Sequence, residues 1–290
     1  MVHRLGSERQ RLSRLMLIAL GYSVFTIFVL FPLVWVFLMS FKDFRDVIAY
    51  PPKFIFEPTF ENYSSILFGG EQPGLTTGMS DYTRFLFNSI IISGGALLLS
   101  TIVGIPAAYT LARSRIKGRS QIAFTFLSFR FAPELAIILP LFVIYRRIGL
   151  YDTYLGLILV HQLITLPIII WIMLGFFQDI PSELEEAAKV DGANLWQVLL
   201  RIVLPVARPG LASALIVAFI FSWNNLIFGL VLAGGNTQPV TMGILQTMNF
   251  DQIKWGWMAA AAMIAALPGM VMATYFQKHL VRGLTMGAIK

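Results

Sequence analysis

The sequence predicts an all-α integral membrane protein with six transmembrane helices, and three observations carry that expectation. Hydrophobic residues make up 57% of the 290 positions and charged residues only 13%, whereas soluble domains are about 45 to 50% apolar. The apolar residues are gathered into uncharged runs of the roughly 20 residues that a helix needs to cross the hydrocarbon core. The basic residues fall in short clusters between those runs, and unequally on alternate sides.

Taken in order, the first span is expected at 15–40. It follows a basic N-terminus, as a secretory leader would, but it is about twice the usual length of a leader's apolar region and lacks a small-residue cleavage site, so it reads as a retained helix. Residues 42–84 are rich in Pro, Gly and aromatics ("YPPKFIFEP", "GGEQPG") and predict a compact loop rather than a domain. The second span is expected at 85–111. A third, 121–145, carries Arg130 and Glu134, and the fourth is 153–175. The uncharged stretch 209–250 is too long for one crossing, and the turn-forming "AGGNTQP" at 233–239 ends a fifth span at 209–232. A sixth runs over 255–277 and leaves a tail at 278–290. The whole chain, 1–290, is expected to be one membrane domain. Pro32, Pro106, Pro133, Pro140, Pro167 and Pro268 fall within spans, where they permit kinks.

Six crossings put both termini on one side. That side collects 14 Lys and Arg, and the other 7, with Arg130 alone inside a span. The positive-inside rule places both termini, the "RSRIKGRS" loop and an insert at 176–208 in the cytoplasm, and 42–84 outside. The net charge of +7 suits anionic lipid headgroups, because the cations do not line one polar face as a nucleic-acid surface would.

Several chemistries are absent from the sequence. The chain has no Cys, hence no thiolate or iron–sulfur site, and its three His are scattered. There is no G-x-x-x-x-G-K-[ST] to cradle nucleotide phosphates, no HExxH and no G-x-S-x-G. The expectation is a chain with no catalytic residues, metal or cofactor of its own.

The insert "PSELEEAAKVDGANLWQVLLRIVLP" is polar and helix-forming between runs built for lipid. Ser182 and Glu185 form a capping-box pattern, so a helix is expected to begin near Glu183. Gly192 is a helix stop. Asn194 is placed to cap a second helix, which Pro205 is expected to end. Leu184, Ala187 and Ala188 share one face of the first helix, and Leu195, Val198, Leu199, Ile202 and Val203 make an apolar stripe on the second.

"EAAKVDGANLWQVLLRIVLP" resembles the Glu-Ala-Ala, x3, Gly, x9, Ile, x, Leu-Pro pattern of ABC importer permeases, matching at Glu186, Ala187, Ala188, Gly192, Ile202, Leu204 and Pro205. "FLFNSIIISGGALLLSTIVGIPAAYTLARSRIKGR" and "FSWNNLIFGLVL" resemble the second and fifth helices of carbohydrate importers of the maltose type, and "QKHLVRGLTMGAIK" resembles their C-terminal tail. The likeness covers essentially the whole chain. It implies a type I permease fold in a bacterial inner membrane, with the insert as a cytoplasmic coupling helix. The implied docking residues are Glu185, Glu186, Ala187, Ala188, Asp191, Gly192, Ala193, Leu204 and Pro205. The implied partners are a homologous second permease, an ATPase dimer that holds the ATP and Mg, and a solute-binding protein.

Arg130 with Glu134 is not a standard feature of that family. Four residues apart, they are expected to share a helical face, as a structural ion pair or as part of the substrate path. Trp223, Asn224 and Asn225 are polar positions in the fifth span, suited either to interhelical hydrogen bonds or to sugar recognition. His161 reads as a satisfied interior histidine. A sugar is the expected substrate. Glycerol phosphate or another anionic derivative is the alternative, and an ion-coupled transporter or a membrane scaffold is a rival class.

Overall fold

The structure, a computed structural model, describes residues 2–68, 81–114, 116–248 and 254–286, with side chains between 14 and 275. No β-strand is formed among these residues. Met1–Thr77 with Thr247–Ile264 makes one compact unit, and Gly78–Gln246 with Ala265–Lys290 makes another.

The first unit contains α1 (Val2–Met39), α2 (Phe44–Val47) and α3 (Glu61–Phe68). From residue 14 to 34 every α1 side chain is exposed, so over that length this apolar helix is left uncovered among the described residues. The described part of the segment after it folds on itself. Asn62 Nδ2 donates to the carbonyls of Ser40 and Lys42 at 3.0 and 2.9 Å. The ring of Phe41 meets that of Phe60 edge-on at 5.4 Å. Lys42 is buried, which an ammonium tolerates only with partners. Its Nζ donates to the Lys53 carbonyl at 2.5 Å and stands 4.6 Å from the centre of the Trp35 ring.

The second unit is built on α4 (Asp81–Arg113), α5 (Arg119–Ser128), α6 (Glu134–Ile148) and α7 (Tyr154–Asp179). It continues through α8 (Glu183–Val190), α9 (Leu195–Val198), α10 (Leu204–Val206), α11 (Arg208–Trp223), α12 (Ile227–Leu232) and α13 (Val240–Gln246). The last helix, α14 (Trp255–Met286), begins in the first unit and ends in the second. It absorbs residues 278–286 of the expected tail, and 287–290 lie outside the described residues.

Between α4 and α7 lies the densest packing. On α4, Ile92, Ala96, Ser100, Gly104, Ala108 and Ala112 recur every fourth residue and all are buried, a small-residue row that lets two membrane helices approach closely. Ser100 Oγ pairs with Thr165 Oγ1 at 2.6 Å and donates to Gln162 Oε1 at 2.5 Å, and Gln162 Nε2 donates to the Ala96 carbonyl at 3.2 Å. Such interhelical bonds contribute about 0.6 kcal/mol each on average. With 33 residues, α4 is about 50 Å long at 1.5 Å per residue, well beyond the roughly 30 Å hydrocarbon core.

Four helices are long and apolar enough to cross a membrane, or six if each of two bent pairs is one span. The third expected span is the first bent pair: α5, extended by a 3-10 turn to Phe131, meets α6 at 87°. Pro133 is the cause, because it forces the preceding residue out of the helical region, and Ala132 is extended at ψ 135°. The fifth expected span, 209–232, is divided into α11 and α12 by a break at 224–226. Asn225 Oδ1 accepts from the Phe228 N–H at 2.9 Å and so caps the restart.

Candidate functional site

The insert folds as two short helices around a glycine turn, as the sequence indicates. Gly192 has φ +85°, a left-handed conformation that costs about 1 to 2 kcal/mol for a residue with a Cβ. Asn194 and Gln197 form a reciprocal capping box, with both bonds at 2.9 Å.

Two local expectations are corrected. Ser182 makes no side-chain cap: its backbone is already helical, at φ −68° and ψ −23°, and the Glu185 N–H bonds to its carbonyl instead, while the Glu185 carboxylate that would complete the box is drawn elsewhere. Pro205 does not end the second helix. Leu199–Val203 widen into a π turn, with the Leu204 N–H reaching the Leu199 carbonyl, and the helix continues through Pro205 to Val206. The wider turn eases the clash between the proline ring and the preceding turn. The path then bends by 80° into α11.

Glu185 is 2% exposed. Its Oε1 accepts from Arg113 Nε at 2.6 Å and its Oε2 from Tyr109 OH at 2.7 Å. Arg113 Nη2 also donates to the Ile180 carbonyl at 2.8 Å, and the Tyr109 ring meets Phe177 edge-on at 5.8 Å. A buried carboxylate is tolerable only with such a full set of partners. Ala188, one turn on, is also buried.

The opposite face of the hairpin is open. Glu186, Ala187, Asp191 and Gly192 are exposed, Ala193 is half-buried, and Leu204 and Pro205 are half-buried further along. Beside them Val190 is 87% and Trp196 61% exposed, with Leu184 and Leu195 also outward. Acids, small residues and large apolar side chains are thus exposed together along one edge of the hairpin. Of the apolar stripe on the second helix, Val198, Leu199 and Val203 pack inward and Leu195 does not.

A second polar cluster forms where the two broken spans meet. Arg130 and Glu134 do not share a helical face, since the 3-10 turn and Pro133 separate them, and they make no ion pair. Glu134 Oε2 instead accepts from Asn225 Nδ2 at 3.1 Å. The Arg130 guanidinium lies 4.0 Å from the centre of the Phe221 ring, and its buried Nη1 has no hydrogen-bond partner. Arg130 and Glu134 line a void of about 30 Å³ together with Phe129, Ile164 and Phe228, a volume that holds one water or hydroxyl group.

The other polar positions of the fifth span separate from this cluster. Trp223 is 4% exposed, and its indole N–H donates to the Ala265 carbonyl at 3.0 Å. Asn224 is exposed and bonds back to Ile220 O at 2.8 Å. His161 is buried, with Nδ1 2.7 Å from the Leu157 carbonyl and its ring against Phe228.

Asp152 makes a third arrangement, unremarked by the sequence reading. Its φ is +55°, and its carboxylate accepts from Gly234 N, Asn236 N, Thr237 N and Thr237 Oγ1 at 2.9, 3.2, 3.0 and 2.7 Å. Burial pushes this carboxyl up, but the bonds from Thr237, Asn236 and Gly234 together outweigh it and hold it below its ordinary 3.8. A Cβ on Gly234 would stand 2.7 Å from Asp152 Cγ, so the turn closes only around glycine.

Among the described residues no group of three or more His, Asp or Glu is placed to hold a metal ion. The parts define a class: a polytopic helical membrane protein with an exposed helical hairpin and polar groups at broken spans. More particularly, the chain belongs to the family of binding-protein-dependent transport system inner membrane components, whose profile matches residues 100–286.

Among its relatives, the trehalose/maltose transport system permease protein MalG of Thermococcus litoralis is 32% identical over 97% of this chain and 99% of its own length. The trehalose transport system permease protein SugB of Mycobacterium tuberculosis is 34% identical over 91% of this chain and 93% of its own. Among solved structures, a bacterial ABC transporter that imports the acidic polysaccharide alginate superposes with TM-score 0.72 at 22% identity, covering 91% of this chain and 95% of that one. The chain is thus a multi-pass inner-membrane component of an ABC transporter of the type I importer fold, a class that works with a binding protein.

Proposed function

We propose that this chain is the permease half of an ATP-driven importer for a sugar, docked through its 185–205 hairpin onto a separate ATPase dimer and paired with a homologous second permease. The observation that carries the reading is the two-sidedness of the hairpin. Glu185 and Ala188 hold it to the bundle, while Glu186, Ala187, Asp191 and Gly192 stand outward beside Val190 and Trp196. Nucleotide would bind only the partner, since this sequence lacks a phosphate-cradling loop. The bare α1 helix supports a second permease and lipid as its neighbours. The excess of Lys and Arg on the hairpin side supports cytoplasmic termini.

Substrate specificity is assigned to the sugar class because the relatives include two, covering 97% and 91% of this chain, that are named for trehalose/maltose and trehalose transport. Arg130, Glu134 and Asn225 are the candidate path residues, with Trp223 and Asn224 adjoining Asn225 in the sequence. The unpaired Arg130 Nη1 favours a second reading in which the sugar carries an anionic group.

The test is co-expression with a binding protein, a second permease and an ABC ATPase encoded beside this chain, followed by purification and uptake in proteoliposomes. Stoichiometric ATPase capture and ATP-dependent entry of trehalose, maltose or a uronic-acid sugar is the expected result. Uptake driven by a proton gradient with no captured ATPase would make the protein an ion-coupled transporter instead.

A further inference from the structure

In the first unit, the segment after α1 and the first turn of α14 enclose a cavity of about 160 Å³. It shares no residue with the Arg130–Glu134–Asn225 cluster. Asp43 and Glu61 are exposed at its mouth, Thr59 is half-buried, and Asn62, Lys254 and Trp257 are buried behind them.

The walls are fixed by the protein's own contacts. Thr59 N donates to the Phe41 carbonyl at 2.8 Å, and Thr59 Oγ1 accepts from Glu61 N at 3.1 Å. The Asp43 carboxylate accepts from Phe44 N at 2.7 Å, and Asn62 is tied to the Ser40 and Lys42 carbonyls. A Cβ on Gly256 would stand 2.7 Å from Asn62 Oδ1, so α14 begins against α3 only because glycine stands there. Lys254 Nζ lies 3.8 Å from the centre of the Trp257 ring. A cavity formed before its ligand arrives lowers the ordering cost of binding.

Size and chemistry narrow the ligand. A cavity of about 150 Å³ holds a six-membered ring, and the exposed mouth leaves room for the rest of a larger molecule outside. An apolar ring would desolvate the carboxylates and the Thr59 hydroxyl and return no hydrogen bond. An anion is opposed by Asp43 and Glu61, and a cation by Lys254. A neutral ring with several hydroxyls meets every wall, because each hydroxyl donates to a carboxylate or accepts from an ammonium or another hydroxyl.

We infer that this cavity is a binding site for one ring of a neutral sugar, with Asp43 and Glu61 accepting from its hydroxyls and Thr59 and Lys254 donating to them. It is a second sugar site on the chain, apart from the candidate path residues. The count of Lys and Arg that puts the hairpin in the cytoplasm puts residues 42–84 outside, so this site faces the side from which sugar arrives. The inference rests on the reading of the chain as a sugar permease for its class of ligand, and goes beyond it in naming where else on the chain that ligand binds.

The test is calorimetric titration of the full chain in nanodiscs, with its co-expressed partners and without a binding protein. Glucose, maltose and trehalose are the probes, with glutamine and glucuronate as the zwitterionic and anionic comparisons. Saturable binding of at least one neutral sugar is expected. Glu61→Ala and Lys254→Gln are each expected to raise its Kd about tenfold, the effect of one hydrogen bond to a charged group. Lys254 is buried, so if Lys254→Gln folds poorly the test passes to Glu61→Ala and to Asp43→Asn, which keeps an acceptor for Phe44 N.

No saturable sugar binding by the folded chain overturns the site, as does binding confined to glutamine or glucuronate. So does a Kd that moves in Arg130→Ala and not in the cavity variants, because the sugar would then sit at the path cluster. ATP-dependent uptake separates this inference from the permease reading. A sugar that binds the cavity and is never taken up removes the permease reading and leaves the site, whereas uptake without cavity binding removes the site alone.

Discussion

Asn225 Nδ2 donates to Glu134 Oε2 at 3.1 Å, joining the restart of one broken span to the restart of another. Each residue also belongs to its own break: Glu134 opens α6 after Pro133, and Asn225 caps α12 through Phe228 N. Breaks of this kind are tolerated at membrane depth only where polar groups satisfy one another or line a path.

Removing the amide is therefore expected to be costly. Asn225→Leu strands the half-buried Glu134 carboxylate and the Phe228 N–H, and an unsatisfied group costs about 1 to 3 kcal/mol when fully buried, less at this half-buried site. The thermal midpoint of the detergent-purified protein should fall, and Glu134→Gln, which keeps an acceptor, should fall less. Equal midpoints for the two variants would contradict the pairing.

Arg130 separates packing from transport. Its stacking on Phe221 contributes about 0.5 to 2 kcal/mol, so Arg130→Ala should lower stability modestly, while a path residue should reduce uptake far more. Radiolabelled uptake normalised to inserted protein decides the matter. Full transport in properly inserted Arg130→Ala removes this residue from the path.

At the hairpin, Gly192→Ala adds a Cβ at φ +85° and should destabilise the turn by about 1 to 2 kcal/mol. Gly192→Pro excludes the turn altogether, and Glu186→Lys reverses a charge on the open face. Both are expected to abolish ATP-driven uptake with the bundle still inserted, measurable by membrane fractionation beside an uptake assay. Normal uptake in both would exclude this edge as the docking surface.

Acid should loosen the clasp around Asp152. Its carboxyl is held below 3.8 in the folded chain, so ionisation contributes stability above that value, and the contribution is lost as pH falls through the lowered folded value. Asp152→Asn should lower the thermal midpoint at neutral pH, and its difference from the unsubstituted protein should shrink below 3.8. A difference that stayed constant with pH would mean that the charge is not what holds Gly234 and Thr237.

Much of the fold is legible in the chain because membrane helices announce themselves by length and apolarity, and turns by glycine and proline. The apolar runs located the long helices, and Gly192 and Asn194 located the hairpin's turn and second cap. The row Ile92, Ala96, Ser100, Gly104, Ala108 and Ala112 was also readable as an i, i+4 pattern, as was the i, i+4 placement of Tyr109 and Arg113. Neither pattern names its partner, and Arg113 looked like one more topogenic cation.

What the sequence by itself determined is everything set by local chemistry: an all-α membrane protein, the number of apolar runs, and an acidic helical insert between two of them. Tertiary structure alone decided which charges meet. Glu185 closes on Tyr109 and Arg113, more than seventy positions earlier, rather than on its own helix cap, and Glu134 turns from Arg130 to Asn225. The physical reason is common to both. A buried or half-buried charge takes whichever partner the packed helices bring within about 3 Å, and that distance is set by how distant segments pack, which local spacing does not record.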